Sequence, residues 1–291
     1  MYQGSRCLEF ATISLATTLL AIPHAFAQIQ SEQTLIFPDS DIFPIASEPP
    51  SIDSESSQDM PQQNAPIDPL DSPHPVPWNW VMETYWELSS SSGSGLRYYR
   101  SPSLISPDGR YAAYSRIKLH SEPDLFRSQV TSVMFMENLQ TGDLQTITAS
   151  SPLADNPFDD NQAANIPGAI SILIPVSWSE NGDRILSRQF EGIFSTSEAS
   201  DYAVIWNRNN NTTSTVSPAQ IRYTNAVLLG WSETYPDQVL FRAGTLGEEE
   251  WPIWAVNTEG KTVVASQDKP KVFGTVVNQI WTGPQGIKPE L

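Results

Sequence analysis

The chain has 291 residues, 39% of them hydrophobic and 17% charged, which is enough apolar material for a sizeable core. With 33 acidic residues against 16 basic ones the formal net charge is -17, which argues against nucleic acid and against an anionic membrane surface as partners. One cysteine, Cys7, cannot form an intrachain disulfide or a thiolate metal site, and three histidines (His24, His74 and His120) leave little material for Ser-His or Cys-His catalysis.

Residues 1–27 read as a secretory signal peptide. Arg6 precedes an apolar stretch from Phe10 to Ile22, and Ala25-Phe26-Ala27 supplies a cleavage site before Gln28. The stretch falls short of the ~20 residues that span a bilayer, so export without stable membrane insertion is expected.

Between Gln28 and Pro77 the composition changes. Prolines recur from Pro38 onward, acidic residues run from Glu32 to Asp71, and Lys and Arg are absent. Burial in such a segment cannot offset its ordering entropy, so 28–77 is expected to be a disordered acidic linker with a reach of roughly 40 Å. Its apolar patch, Leu35-Ile36-Phe37-Pro38 and Ile42-Phe43-Pro44-Ile45, has two readings: sticky linker residues, or a docking motif in which Ile36, Phe37, Ile42 and Phe43 bind a partner.

From Trp78 to Leu291 short strand-like runs alternate with turns, and the order of runs repeats. The first copy has Ser106-Pro107-Asp108-Gly109-Arg110, a strand from Tyr111 to Ser115, a strand from Val133, the turn Thr141-Gly142-Asp143, and Leu144 to Thr148. In the second copy Trp178-Ser179-Glu180-Asn181-Gly182-Asp183 leads into Arg184 to Arg188, then Tyr202 to Asn207 and Thr213 to Val216. The third runs from Trp231-Ser232 through Pro236-Asp237 to Gln238–Arg242, Pro252–Asn257 and Lys261–Ala265. Four strands per unit joined by tight turns is the pattern of a propeller blade. Insertions between strands are expected at Leu119–Ser128 and Ser151–Gly168. The two ends of this region, 78–100 and 271–291, together have the length of a fourth blade, although Trp78, Val81, Met82, Tyr85 and Trp86 sit at helical spacing.

The Ser-Pro-Asp-Gly-Arg turn at 106–110, with Trp-Ser at 178–179 and 231–232 in the equivalent place, resembles the repeat of TolB-type β-propellers. More loosely, the chain is similar to proteins described as Tol biopolymer transporter periplasmic proteins. The resemblance spans about residues 100 to 270. It implies an all-β propeller of three clear blades over 78–291, located in the periplasm and acting as a non-enzymatic scaffold for an envelope protein, in a cell-envelope or transport role. Other roles compatible with such a propeller are binding of envelope polysaccharide and regulation of a separate hydrolase. The family propeller has six blades and an α/β domain ahead of it, where this chain has the acidic segment.

Catalytic constellations are sparse. Gly230-Trp231-Ser232-Glu233-Thr234 begins like a nucleophile elbow but lacks its final glycine, and neither a Walker loop nor an H-E-x-x-H motif occurs. No catalytic residue and no cofactor is therefore assigned. Carboxylates at Asp155, Asp159 and Asp160 and at Glu248, Glu249 and Glu250 are expected to be solvated loops, with calcium as the alternative ligand, although no calcium-loop spacing is met. Asp108 is expected to bond its own turn.

Overall fold

The computed structural model describes residues 68–91, 93–154 and 166–278. Among the described residues it is an all-β fold with one α-helix and two sheets, neither of them closed.

Helix α1 (Trp78–Ser91) follows the helical spacing of the sequence and buries Val81, Thr84, Tyr85 and Leu88 along one face. Residues 78–91 therefore do not supply strands to the fourth blade expected from 78–100 and 271–291, and 279–291 lie outside the described residues. The apolar residues of 78–91 recur at a period that only a helix can bury on one side. The chain then enters β1 (Gly95–Arg100) and β2 (Ser103–Ile105), two pieces of one edge that both pair with β3 (Tyr111–Ser121). β3 pairs with β4 (Gln129–Asn138), which pairs with β5 (Leu144–Ile147). The insertion expected at Leu119–Ser128 mainly lengthens this hairpin. Ile117, Leu119 and Ser121 continue the buried side of β3 while Arg116 and Lys118 stay exposed, so the period of two persists beyond Ser115.

The second meander consists of β6 (Ala169–Trp178), β7 (Arg184–Ile193), β8 (Ala199–Asn207) and β9 (Thr212–Val216), each antiparallel to the next. A single parallel bridge, Val130 with Ile170, joins it to the first meander. The third consists of β10 (Asn225–Ser232), β11 (Val239–Gly244), β12 (Ile253–Val256) and β13 (Thr262–Val264).

The meanders stack face to face. Ala113, Met134 and Met136 of the first meet Trp178, Ile185, Val204 and Trp206 of the second. On its other side the second presents Leu186, Ala203 and Ile205 to Leu228, Val239 and Phe241 of the third. Being covered on both faces explains why β7 is buried along nearly its whole length instead of alternating.

Two segments bind the stack together at the first strands. After β13 the chain forms β14 (Pro270–Lys271) against β10, a bridge from Phe273 to Trp178 of β6, and β15 (Thr275–Val277) against β2. One short run thus touches the first strand of every meander. Its passage requires glycine at two points. A Cβ on Gly274 (φ +105°) would lie 2.7 Å from the Ile105 carbonyl oxygen and 2.9 Å from Trp178 Cδ1, and one on Gly230 (φ +139°) would lie 3.1 Å from the Lys271 carbonyl oxygen.

The other segment is the strap Asp68–Pro77, which composition assigns to the linker. Leu70 and Val76 are buried with Val81 and Tyr85 over Ile117, Leu119, Ile172 and Phe190. The linker boundary expected at residue 77 therefore lies inside the fold, because Asp68 ties the strap to a buried arginine.

Candidate functional site

Arg188, in the middle of β7, is fully buried. Its Nε donates to Asp201 Oδ1 at 2.8 Å and its Nη1 to Asp68 Oδ2 at 2.6 Å and to the His74 carbonyl at 2.7 Å. Asp68 also accepts from the backbone N–H groups of Leu70, Ser72 and Val76, which coils the strap around one carboxylate. Asp201 Oδ2 accepts from Leu228 N at 2.9 Å, and His74 Nε2 meets the Leu229 carbonyl oxygen at 3.0 Å. Strap, second meander and third meander are thereby joined through one guanidinium.

The electrostatics follow from one cation serving two carboxylates. Complete burial pushes Asp201 up to about 6, against the pull of Arg188 and of the Leu228 N–H. Burial works the same way on Asp68, but the hydrogen bond and charge of Arg188 and the backbone donors outweigh it and hold that carboxyl below its ordinary value. Burial also lowers His74, opposed by its bond to Leu229. The Arg188, Asp68 and Asp201 side chains bond to other parts of the chain, so the cluster anchors the strap to the second and third meanders.

The residues named from sequence are scattered. Ile36, Phe37, Ile42 and Phe43 lie outside the described residues, as do Asp155, Asp159 and Asp160. Ser232 Oγ donates to Asp268 and accepts from Tyr235 N at 2.7 Å, which makes it a turn residue. Ser106 and Ser179 do the same work, accepting from Tyr111 N and Arg184 N at 3.0 Å each, and Asp108 Oδ1 accepts from Ser106 Oγ and Arg110 N within its turn. His120 stands on the sheet surface, 3.4 Å from Glu122. Glu248 holds Thr245 N in its own loop, and Glu249 and Glu250 are exposed. Among the described residues no group of three or more His, Cys, Asp or Glu side chains is placed to hold a metal ion.

One surface departs from the acidic character of the chain. The side of the first meander that faces away from the second carries Tyr98, Arg100, Tyr114, Arg116, Lys118 and Phe135. The registers place Tyr98 opposite Lys118, Arg100 opposite Arg116 and Tyr114 opposite Phe135. The Arg100 guanidinium lies 3.8 Å from the centroid of the Tyr114 ring, and that ring stacks on Phe135 at 5.5 Å. Tyr98 is 67% exposed and Leu96 50%. Among the described residues neither Arg116 nor Lys118 has a carboxylate within ion-pair distance.

On the other side of the same edge lies an apolar cavity of about 440 Å³, bounded by strap prolines Pro73, Pro75 and Pro77, by Tyr99 and Pro102, and by Ile174 of β6. The residues of the cationic face come from three strands, so it becomes visible only from strand register. Other aromatic side chains pack inward. Trp78 lies against Phe190 and Phe194, and Trp254 joins the cluster between the second and third meanders. No protein-family model matches this chain, and no curated protein is significantly similar to it.

Proposed function

We propose that the protein is a non-enzymatic scaffold of the propeller type, exported to the periplasm, that holds a partner protein of the cell envelope on the open face of its first meander. The three meanders are read as three blades. What supports this reading is the recurrence of one turn, in which a serine at the end of each first strand accepts from the backbone ahead of it. The observation that carries the functional reading is the cationic and aromatic face of Tyr98, Arg100, Tyr114, Arg116 and Lys118 on a chain of net charge -17. A flat exposed face of aromatic and basic groups is a surface for recognition, not for bond cleavage. Ile36, Phe37, Ile42 and Phe43 add a second contact from the linker, with its acidic residues keeping the chain soluble.

The test is cross-linking from a photoreactive residue placed at Thr131, beside Lys118 on the same face, in cells that export the chain. A discrete protein adduct that is lost in R116E/K118E supports the reading. The absence of any adduct, or adducts unchanged in that variant, sinks it. A second reading, an acidic polysaccharide stacked on Tyr98, is favoured instead if purified anionic glycan binds saturably and binding is lost in Tyr98→Ala.

A further inference from the structure

We infer that β1 is a receiving edge, to which a partner protein adds an extended strand whose side chains alternate between acidic and apolar. This rests on the interaction reading above and specifies the chemistry of the partner. The edge itself is the first observation. Ser101 N donates to the Ser115 carbonyl at 2.9 Å, so by the alternation of an antiparallel ladder the N–H and C=O groups of Leu96, Tyr98 and Arg100 point away from β3. Among the described residues no strand pairs with that side of β1. Among the described residues the Leu96 carbonyl is met by the guanidinium of its neighbour Arg97, at 3.0 Å.

The second observation is continuity. Directly in line with β1, the same edge already accepts a strand, since β15 pairs with β2 from Thr275 opposite Ile105 to Val277 opposite Ser103. Backbone geometry for strand addition is therefore in place one step along.

The third is that the two sides of the edge differ in chemistry. A strand laid on β1 turns successive side chains to opposite sides. On one side they meet Arg100, Arg116 and Lys118, cations that have no acidic partner among the described residues. On the other they enter the cavity walled by the strap prolines, Tyr99 and Ile174. Carboxylates suit the first side and aliphatic groups the second. The residues that follow Asn278 in this chain contain no Asp or Glu before Glu290, so charge does not favour them as the occupant.

The experiment uses the full mature chain and short fluorescent peptides read by anisotropy. One peptide alternates Glu and Val, a second has the same composition in two blocks, and a third alternates Lys and Val. A fourth repeats the first with alternate amides N-methylated. The alternating Glu/Val peptide is expected to bind saturably, with affinity falling about tenfold or more in R116E/K118E. The block, Lys/Val and N-methylated peptides are expected to bind at least about tenfold more weakly. Equal binding of the alternating and N-methylated peptides overturns strand addition, as does failure of the Glu/Val peptide to bind. If that failure accompanies cross-links that are still lost in R116E/K118E, the interaction reading survives without the strand. Binding seen only in a chain ended after Asn278 assigns the edge to the chain's own C-terminal residues. Self-association removed by R116E/K118E assigns it to a second copy. Either result overturns the inference.

Discussion

Asp68 and Arg188 stand 120 residues apart in the chain and meet at 2.6 Å, with both side chains shut off from solvent. The pair makes the end of the linker a structural part of the domain, and it separates two deletions that composition alone would treat as equivalent. Removing residues 28–67 is expected to leave the melting transition nearly unchanged. Removing 28–77 strips Arg188 of one carboxylate and uncovers Ile117 and Phe190. Asp68→Ala alone should cost about 2–4 kcal/mol, below the full cost of an unpaired buried charge because Asp201 remains. Chemical denaturation of the three variants measures this, and equal stability of the two deletions would remove the strap from the fold.

The C-terminal run depends on a residue without a side chain. Gly274→Val would place branched carbons against the Ile105 carbonyl and the Trp178 ring at a positive φ, so β15 is expected to detach from β2. The loss is expected to exceed about 2 kcal/mol and to raise amide exchange at Leu104 and Trp178 before the rest of the second meander is affected. Exchange that is uniform with wild type would show that the run contributes no order to the first strands.

Gly109 tests the turns in a different way. Its φ is +67° and a Cβ there would meet nothing within 4 Å, so Gly109→Val introduces backbone strain without a clash. A cost of about 1–2 kcal/mol is expected. Asp108→Asn keeps an acceptor for Ser106 Oγ and Arg110 N and loses only the partly exposed pair with Arg208, a change of less than about 1 kcal/mol. Thermal melts of the two variants give the order, and a reversed order would refute the reading of this turn.

Asp201 gives the domain a pH signature. Its pKa is raised by burial from the ordinary value of 3.8 to about 6, so the folded state holds a proton that the unfolded chain gives up. That contribution is fully present below about pH 4 and is lost as pH rises through about 6, on the order of 3 kcal/mol for about two units. His74 acts in the opposite direction: its lowered pKa favours the neutral ring, so stability falls as pH drops below the ordinary histidine value. Asp68, held low, weakens the fold only at stronger acidity. Comparison with Asp201→Asn isolates the first effect. The stability advantage of wild type over the variant should shrink between about pH 4.5 and about pH 7.5 in urea melts. A constant gap would contradict the assignment.

The repeat was legible because its marks are local. A serine at the strand end and a residue at positive φ, Gly109 and Gly182 in the first two turns and Asp237 in the third, are set by residues within a few positions of one another. The helix at Trp78 was legible for the same reason. The strap was not, because Asp68 and Val76 are ordered by residues more than a hundred positions away, and a proline-rich acidic stretch looks the same whether or not a buried arginine awaits it. A signal did exist: Arg188 lies between Ile185-Leu186 and Phe190, and Asp201 directly precedes the apolar run Tyr202 to Trp206, and charges in such places are rarely buried alone. The cationic face was hidden for a further reason. Its residues come from β1, β3 and β4, and only their register shows that Tyr98, Arg100, Arg116 and Lys118 lie on one side. The linker residues Ile36, Phe37, Ile42 and Phe43 fall outside the described residues, so their part in binding rests on composition alone.

The run from Pro270 to Val277 is synthesised after every strand it joins. During translation the three meanders can each form from neighbouring strands, since all their internal pairings are local hairpins. Yet the first strands of all three keep a free edge until the last of these residues has emerged. The order of synthesis thus leaves a late interval in which the sheets exist but are not yet fastened, and a ribosome stalled before residue 270 would hold a chain whose edges are open to pairing with other nascent chains.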